Sequence, residues 1–291
     1  DRLGEFLLCS TDTQTGVPTV VEPQLARWMQ AYGLRGVYRK ELTRHVRGAA
    51  STGTSPTLVL GEKAPGSFAI RENGLRFEIR FDEGYSVGLF LDQRDNRRRV
   101  LTNHLAADFP LFLTGPAGAE VLNTFAYTCA FSVCAAMAGA RTTSLDLSKK
   151  YLAWGQRNFA LNGLDPSPHD FIYGDAFDWL RRLGRKQRQF DSILLDPPTF
   201  SQSKPGGVFR AEHDYGKLVA TALPLLKPNG VLFASTNAAT LPPEEFLDQV
   251  KAEVQKAHRE VVQEHYAPQP PDFPVTRAEP AYLKTVWLRI R

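Results

Sequence analysis

The chain has 291 residues, of which 43% are hydrophobic, 23% charged and 11% aromatic. This composition is typical of a soluble globular protein and excludes a mostly disordered chain. The length favours two domains, or one large domain with an appendage. A net charge of +4 is compatible with a polyanionic partner, but it is too small to indicate nucleic acid by itself.

Neither a membrane nor a metal ion is an expected partner. No apolar run approaches the roughly 20 residues that span a bilayer, and the N-terminus lacks the pattern of a signal peptide. A cytoplasmic protein is therefore expected. The three cysteines, Cys9, Cys129 and Cys134, form neither an even disulfide set nor a CxxC metal pair. Reduced thiols and no structural metal are expected.

Residues 1–85 predict a small α+β domain. The expected elements are a strand at 5–9, a helix at 22–32 and a strand at 36–41. Apolar residues between Phe68 and Phe81 then alternate with polar ones on both sides of Asn73-Gly74. Because this dipeptide tolerates the positive φ of a tight turn, a β-hairpin is predicted.

In residues 86–291, buried strands alternate with amphipathic helices, which is typical of a doubly wound α/β sheet. The predicted strands are 120–123, 142–146, 170–173, 192–195, 231–235, 260–266 and 283–290. The predicted helices are 131–137, 149–161, 177–183, 214–225 and 243–258. The last two strands favour a seven-stranded sheet with a terminal hairpin over a sheet of parallel strands only.

Carboxylates follow three successive strands of this predicted sheet, at Asp146, Asp175 and Asp196. Ligands of such sheets bind beyond the carboxyl ends of the strands. The GxGxxG turn that binds a pyrophosphate is missing, which counts against a dinucleotide oxidoreductase. A ligand without phosphate needs carboxylates for ribose hydroxyls and an adenine amino group instead. Asp146 and Asp175 are placed for those two roles.

Four segments resemble the class I S-adenosylmethionine-dependent methyltransferases, and more closely the bacterial 23S ribosomal RNA methyltransferases. They are GLFLDQRDNRR (88–98), VLNTFAYTCAFSV (121–133), LDLSKKYLAWGQRNFALNGL (145–164) and LDPPTFSQSK (195–204). The last two especially resemble the guanine-N7 methyltransferase domain of the large-subunit RNA enzymes. The resemblance implies a Rossmann-like sheet of seven strands, the last one antiparallel, and S-adenosylmethionine as the cofactor.

The resemblance also implies where the cofactor binds. Asp146 would hold the ribose hydroxyls, Asp175 the adenine amino group, and residues 123–128 the methionine moiety. The implied set is Phe90, Asp92, Arg94, Asn123, Phe125, Tyr127, Thr128, Asp146, Leu147, Ser148, Asp175, Ala176 and Asp196. Ser148 also suits the N-cap of the next helix, and a capping role is the alternative for Asp146 as well.

Asp196, Pro197, Pro198 and Phe200 form the predicted catalytic corner. Methyl transfer from a sulfonium is an in-line displacement, so the enzyme must hold the acceptor atom about 3 to 3.5 Å from the methyl carbon. Asp196 and the Pro197 carbonyl offer acceptors for a base amino group, and Phe200 offers a ring for stacking. The alternative is a stiff turn that ends the strand, with Phe200 in the core.

The expected substrate is a guanine nitrogen of 23S ribosomal RNA. Guanine N7 presents a lone pair and needs positioning rather than a base, and guanine N2 suits the same corner. Cytosine-5 chemistry is disfavoured because it needs a cysteine nucleophile, which neither this corner nor the later strand end 233–237 supplies. A non-catalytic RNA-binding factor with the same fold and a small-molecule methyltransferase are further alternatives. The oligomeric state stays open.

The chain departs from the family pattern in its first loop, where Ala126 and Cys129 stand at positions that are glycine in many methyltransferases. No RNA-binding PUA domain is recognisable, so RNA contact is assigned to the small domain and to basic segments. These segments are Arg94, Arg97, Arg98 and Arg99, then Arg181, Arg182, Arg185, Lys186 and Arg188, and finally Lys204. A solvated helix end is the favoured interpretation of the second group.

Overall fold

The computed structural model describes residues 1–12, 21–42, 55–84, 86–203, 207–277 and 280–291. These residues form two compact units, Asp1–Phe90 and Leu91–Arg291. Residues 86–90, which the sequence analysis assigned to the second domain, therefore belong to the first unit. Lys204, the proposed phosphate contact, lies outside the described residues.

The first unit consists of a four-stranded sheet, one helix and a hairpin. Its elements are β1 (Arg2–Leu3), β2 (Phe6–Asp12), α1 (Val21–Ala31), β3 (Gly36–Leu42), β4 (Thr57–Gly61), β5 (Phe68–Glu72) and β6 (Leu75–Ile79). The sheet has the order β1-β2-β3-β4, and β5 pairs with β6 across Asn73 and Gly74. Both turn residues have positive φ, 52° and 83°, so the predicted hairpin is confirmed. The edge strand β4 was not predicted.

The second unit contains the predicted α/β sheet. Its elements are α2 (Arg94–Leu101), β7 (Glu120–Thr124), α3 (Ala130–Ala138), β8 (Arg141–Asp146), α4 (Lys149–Leu161), β9 (Asp170–Tyr173), α5 (Ala176–Arg185), β10 (Phe190–Leu195), β11 (Phe200–Ser203), β12 (Gly207–Arg210), α6 (Ala211–Ala222), β13 (Leu226–Thr236), α7 (Pro243–Lys256), β14 (Val261–Tyr266) and β15 (Lys284–Ile290). Seven strands pair in the order β14-β15-β13-β10-β7-β8-β9. The last strand, β15, runs antiparallel to both of its neighbours, β13 and β14, as predicted.

The order of the strands decides where a ligand can bind. From β7 the chain adds β8 and β9 on one side, then returns to add β10 and β13 on the other. The crevice at such a reversal opens at the carboxyl ends of the strands. The central strand β10 is apolar on both faces, and Ile193, Leu194 and Leu195 are fully buried. This burial explains why the strand is a continuous apolar run in the sequence.

Two elements of the second unit were not predicted. Helix α2 has the sequence RDNRRRVL, whose buried face is formed by Asn96, Arg97 and Val100. Because that face is mostly polar, no apolar stripe indicates the helix. The hairpin of β11 and β12 follows the Asp-Pro-Pro corner, and it shifts the start of α6 from the predicted residue 214 to Ala211.

Helices α3 and α4 approach each other closely at Cys129 and Gly155. A Cβ atom added at Gly155 would lie 2.3 Å from the Sγ atom of Cys129 and 2.7 Å from its Cβ. Cys129 itself has a φ of 59°, in the left-handed region that favours glycine. The two positions are therefore sterically coupled, because the side chain at 129 fits only where residue 155 has none.

We expect Gly155→Ala to destabilise the protein by about 1 to 3 kcal/mol, since overpacking a core contact costs that much. The double variant C129G/G155A should recover most of the loss, because it removes the clash and the strained φ together. Urea unfolding of the two single variants and the double variant measures the coupling. Gly184→Ala is the matched control, since its Cβ would meet nothing closer than Leu225 at 3.7 Å. Additive effects of the two changes would refute the coupling.

Candidate functional site

The carboxyl ends of β8, β9 and β10 place the three predicted carboxylates at one edge of the sheet. Asp146 is the last residue of β8, Asp175 precedes α5, and Asp196 directly follows β10. Strands β7, β8 and β9 are consecutive neighbours, and β10 pairs with β7 on the other side. Parallel neighbours run about 4.8 Å apart, so these residues surround one crevice.

The loop after β7 has an unusual backbone. Phe125, Tyr127 and Cys129 adopt φ values of 56°, 48° and 59°. Such values are rare for bulky residues and cost about 1 to 3 kcal/mol each, so they persist only where the surroundings enforce them. Strain of this kind concentrates at ligand sites. Of the two positions that lack the family's glycine, Cys129 takes the left-handed conformation, whereas Ala126 does not.

Asp146 fixes this loop to the next one. Its Oδ2 accepts a hydrogen bond of 2.8 Å from the backbone N–H of Tyr127, and its Oδ1 accepts one of 2.8 Å from the N–H of Ser148. The backbone of Leu147 adds a third hydrogen bond, so the roughly four acceptor sites of the carboxylate still leave capacity for a ligand. The N-cap of α4 is Ser148, whose Oγ accepts from the N–H of Tyr151 at 3.2 Å. Burial raises the pKa of Asp146 above its usual value.

Apolar side chains flank these carboxylates. Leu147 is 42% exposed and follows Asp146, and Tyr173 is 51% exposed and pairs with Asp146 across β8 and β9. Asp175 is the N-cap of α5, with its Oδ1 accepting from the N–H of Asp178 at 3.0 Å. Ala176, the first residue of that helix, is buried. A carboxylate beside exposed apolar surface suits a ligand that combines hydroxyl groups with a flat ring.

Two of the predicted cofactor residues lie beneath the loop. Asn123 is buried and donates to the Oγ of Ser132 at 2.9 Å. Thr128 is also buried, and its carbonyl accepts from the side-chain amide of Asn158 at 2.9 Å. Both residues support the strained loop from the core side. A direct cofactor contact by their side chains stays a prediction.

The segment before α2 supplies a second acidic group. The hydroxyl of Tyr282 donates to Asp92 at 3.1 Å, and burial raises the pKa of that carboxyl. Arg94, which was predicted to close the cofactor site, forms two hydrogen bonds of 2.7 and 2.9 Å with Asp272. Phe90 belongs to the first unit, where its side chain is exposed. Cofactor contacts by Phe90, Asp92 and Arg94 stay predictions.

Asp196 is held by side chains that the sequence analysis did not identify. Its Oδ2 accepts from the Nε2 of Gln93 at 3.2 Å, and Ser235 also hydrogen-bonds to it. Burial raises the pKa of Asp196 to about 6, Asp92 adds to the rise, and Arg97 opposes it. Pro197 is buried, whereas Pro198 is exposed.

The hairpin β11–β12 presents one face to the loop and the other to solvent. Phe209 is buried and lies 6.3 Å from Phe125 and 6.0 Å from Phe177, measured between ring centroids. On the opposite face, Phe200 is 42% exposed, and the guanidinium of Arg210 lies 5.6 Å from the centre of its ring. The alternative that places Phe200 in the core is therefore wrong. The buried Phe209 was not identified from the sequence.

The two cysteines of the second unit, Cys129 and Cys134, are both buried. Burial raises the pKa of Cys129 to about 12, so its thiol is neutral at pH 7. A neutral, enclosed thiol cannot attack a pyrimidine ring.

The basic segments divide into buried and surface residues. In the first segment, for part of which substrate or cofactor contact was predicted, Arg97 is only 2% exposed and stacks over Phe131 at 5.8 Å, so it belongs to the interior and not to a basic surface. In the second segment, Arg182 pairs with Asp178 at 2.8 Å, one turn earlier on α5. Arg188 pairs with Asp170 at 3.4 Å. These contacts agree with a solvated helix end.

Two features are missing from the residues that the structure describes. Among them, no helix combines the length and the apolar character needed to cross a bilayer. The same residues include no group of three or more histidine, cysteine, aspartate or glutamate side chains that could hold a metal ion.

Comparisons with known proteins show that the chain is similar to ribosomal RNA methyltransferases. The chain is 34% identical over 276 residues to a ribosomal RNA large subunit methyltransferase of Deinococcus radiodurans, covering 92% of this chain and 64% of that protein. It is 41% identical over 182 residues to ribosomal RNA large subunit methyltransferase K/L of Psychrobacter sp., covering 61% of this chain and 21% of that protein. The chain thus spans less than two thirds of these relatives.

A solved structure with a bound nucleoside ligand is also similar. The crystal structure of SMU.776 complexed with SAH superposes with a TM-score of 0.80 at 31% identity, over 99% of this chain and 70% of that one. The family of S-adenosylmethionine-dependent methyltransferases matches residues 52–289. This match covers residues 52–90 of the first unit and nearly all of the second, including the seven strands of the large sheet. The chain belongs to the S-adenosylmethionine-dependent methyltransferase family.

Proposed function

We propose that this chain methylates a guanine nitrogen, N7 in the first place, of large-subunit ribosomal RNA in the cytoplasm. The observation that carries the proposal is the position of Asp196: a partly exposed carboxylate at the end of β10, in the same crevice as Asp146 and followed by an exposed aromatic. The names of the relatives support ribosomal RNA as the substrate.

The described residues fit S-adenosylmethionine. Asp146 keeps lone pairs for the ribose hydroxyls, and the exposed side chains of Leu147 and Tyr173 suit the faces of an adenine ring. Asp175 uses one oxygen as the N-cap of α5, and we assign its carboxylate to the adenine amino group. The strained loop at 125–129 borders the methionine moiety. When bound, the cofactor supplies a methyl group on a positively charged sulfur.

On the acceptor side, the chain's own charges favour a reaction that creates a cation. Methylation at N7 leaves a positive charge on the guanine ring, and no proton departs to neutralise it. Asp196 and Asp92 are two carboxylates at this side of the crevice, and a preorganised negative field stabilises the developing charge. The Pro197 carbonyl and Asp196 can also accept hydrogen bonds from the base, which is why N2 is the alternative acceptor.

The exposed face of the hairpin would contact the base or a neighbouring nucleotide. Phe200 supplies a ring for stacking, and Arg210, its cross-strand partner, supplies a cation for phosphate or for stacking. For the first unit we also propose RNA contact. Arg71 and Arg76 face each other across the hairpin of β5 and β6, and both are exposed. Phosphate contacts by these two side chains would make the affinity for RNA fall as the salt concentration rises.

The role of Asp175 in cofactor binding is tested by Asp175→Asn. Asparagine caps a helix as well as aspartate does, so the fold should be kept while the carboxylate is lost. We expect affinity for S-adenosylmethionine to fall about 10- to 100-fold, as for one charge-assisted hydrogen bond, in isothermal titration calorimetry. Asp178→Asn on the same helix is the control and should bind normally. Unchanged affinity in Asp175→Asn would exclude the assigned contact.

The raised pKa of Asp196 predicts the pH dependence of the reaction. Because burial brings this pKa to about 6, the carboxylate gains its proton as the pH falls through that value. The single-turnover rate should therefore drop below about pH 6 and level off above it, and Asp196→Asn should be slow and lack this acid limb. Cofactor affinity, measured over the same range, separates an effect on the acceptor from one on cofactor binding. If the single-turnover rate of Asp196→Asn still falls below about pH 6, the fall must be assigned to another titrating group.

Replacing Phe200 should affect the RNA and spare the cofactor. Loss of one stacked base costs about 1 to 3 kcal/mol, so Phe200→Ala should lower kcat/KM for ribosomal RNA about 5- to 150-fold. Affinity for S-adenosylmethionine should stay unchanged, and Phe200→Tyr should keep most of the activity. Val208→Ala, on the same exposed face, is the control for general damage to the hairpin. Mass mapping of the RNA product locates the methylated nucleotide in the same experiment, and chromatography of the released nucleoside against N7- and N2-methylguanosine standards identifies the methylated atom.

A further inference from the structure

A continuous chain of buried hydrogen bonds connects the antiparallel strand β15 to Asp196. The Nε1 of Trp287 donates to the Oδ1 of Asn96 at 3.1 Å, and the Nδ2 of Asn96 donates to the Oε1 of Gln93 at 2.8 Å. The Nε2 of Gln93 then donates to Ser235 at 2.8 Å and to Asp196 at 3.2 Å. Gln93 and Asn96 are each 3% exposed, so water cannot replace these partners.

The orientation of Asn96 is set by chemistry at both of its amide atoms. The indole N–H of Trp287 can only donate, so the atom that faces it must be the amide oxygen. The hydroxyl of Thr285 donates to the carbonyl of Ala267, and its oxygen is then left to accept from the Nδ2 of Asn96 at 3.3 Å. A flipped amide would lose both interactions in a buried place.

The orientation of Asn96 determines that of Gln93. Because the Nδ2 of Asn96 donates, the atom of Gln93 that faces it must be the Oε1, and the Nε2 must point to Asp196 and Ser235. Ser235 accepts one of these hydrogen bonds, so its own proton is free to be donated to Asp196. Every donor in the chain therefore points toward the carboxylate.

We propose that Trp287, Asn96 and Gln93 are positioning residues that hold Asp196 as an ionised acceptor with a fixed orientation. Gln93 is the member that touches Asp196, and Trp287 acts through it from the far side of α2. The inference rests on the role of Asp196 in the proposed function. It adds that this role depends on Trp287 of the last strand. This tryptophan does not touch Asp196 but is linked to it by hydrogen bonds through the amides of Asn96 and Gln93.

Other charged groups face Asp196 from the elements packed around it. Asp92 lies on the turn before α2 and disfavours the ionised form, whereas Arg97 of α2 favours it. Tyr215 of α6 donates its proton to the carbonyl of Leu195 at 2.9 Å, so that proton is not directed at Asp196. The amide chain therefore opposes both the burial of the carboxylate and the charge of Asp92.

The test is a direct titration of Asp196 by carbon NMR of aspartate labelled at the carboxyl carbon, with Asp196→Asn for assignment. Gln93→Met removes the donor at similar size and should raise the midpoint of Asp196 by about one pH unit, the typical effect of one hydrogen bond to a charged group. Trp287→Phe should raise it by less, because Thr285 still constrains Asn96. Trp287→Phe combined with Thr285→Val should approach Gln93→Met.

Phe233→Leu is the matched control. Phe233 stacks on Trp287 at 4.3 Å but donates no side-chain hydrogen bond, so this variant should lower stability without moving the titration. If Trp287→Phe and the combined variant leave the midpoint unchanged, or if Phe233→Leu moves it equally, the proposal is overturned. If the midpoint of Asp196 moves as expected but the pH dependence of the methyl-transfer rate does not change, the positioning role of the three residues is supported and the proposed role of Asp196 is refuted.

Discussion

The carboxylate of Asp146 holds the edge of the sheet in the form that a ligand requires. Its two oxygens bind the backbone of Tyr127 and Ser148, at 2.8 Å each, and so join the loops that follow β7 and β8. The first of these loops keeps three bulky residues in left-handed conformations. Such strain is stable only if several contacts enforce it at once. A carboxylate that clamps two loops and still has lone pairs is well suited both to build a site and to bind there.

On the acceptor side of the crevice, the ionised form of Asp196 is disfavoured by burial and favoured by nearby hydrogen-bond donors and by a cation. Removing a carboxylate from water, even in part, is unfavourable unless it is paired or hydrogen-bonded. Asp196 has a second acid, Asp92, close by, and both depend on Arg97, a guanidinium that is almost completely buried. Helix α2 and its N-cap residue Gln93 thus bring a cation and two amides to the interior, where most helices present aliphatic side chains. Its polar sequence is a consequence of this task.

The same polarity limits what the sequence could predict. The seven strands of the large sheet and their carboxylates were predicted because buried parallel strands are continuous apolar runs and their ends carry the functional residues. Helix α2 was missed because Gln93, Asn96 and Arg97 leave no apolar stripe to detect. The hairpin after Pro198 was missed because β11 and β12 have four residues each, and Phe209 is their main buried residue. The steric dependence of Gly155 on Cys129 could not be predicted, because the two residues lie 26 positions apart in the sequence and come into contact only in the folded protein.

The antiparallel strand β15 has a consequence for the site beyond closing the sheet. Inserted between β13 and β14, it places Trp287 opposite Phe233 of β13 and beside Asn96 of α2. A purely apolar residue at 287 would fill the same space but would leave the oxygen of Asn96 without its donor. The tryptophan contributes packing and a hydrogen-bond direction together, and an indole N–H has one possible direction. Each amide in this series of hydrogen bonds accepts at its oxygen and donates at its nitrogen. Because the first member, the indole N–H, can only donate, the last amide must donate as well, and its acceptor is the carboxylate beside the crevice.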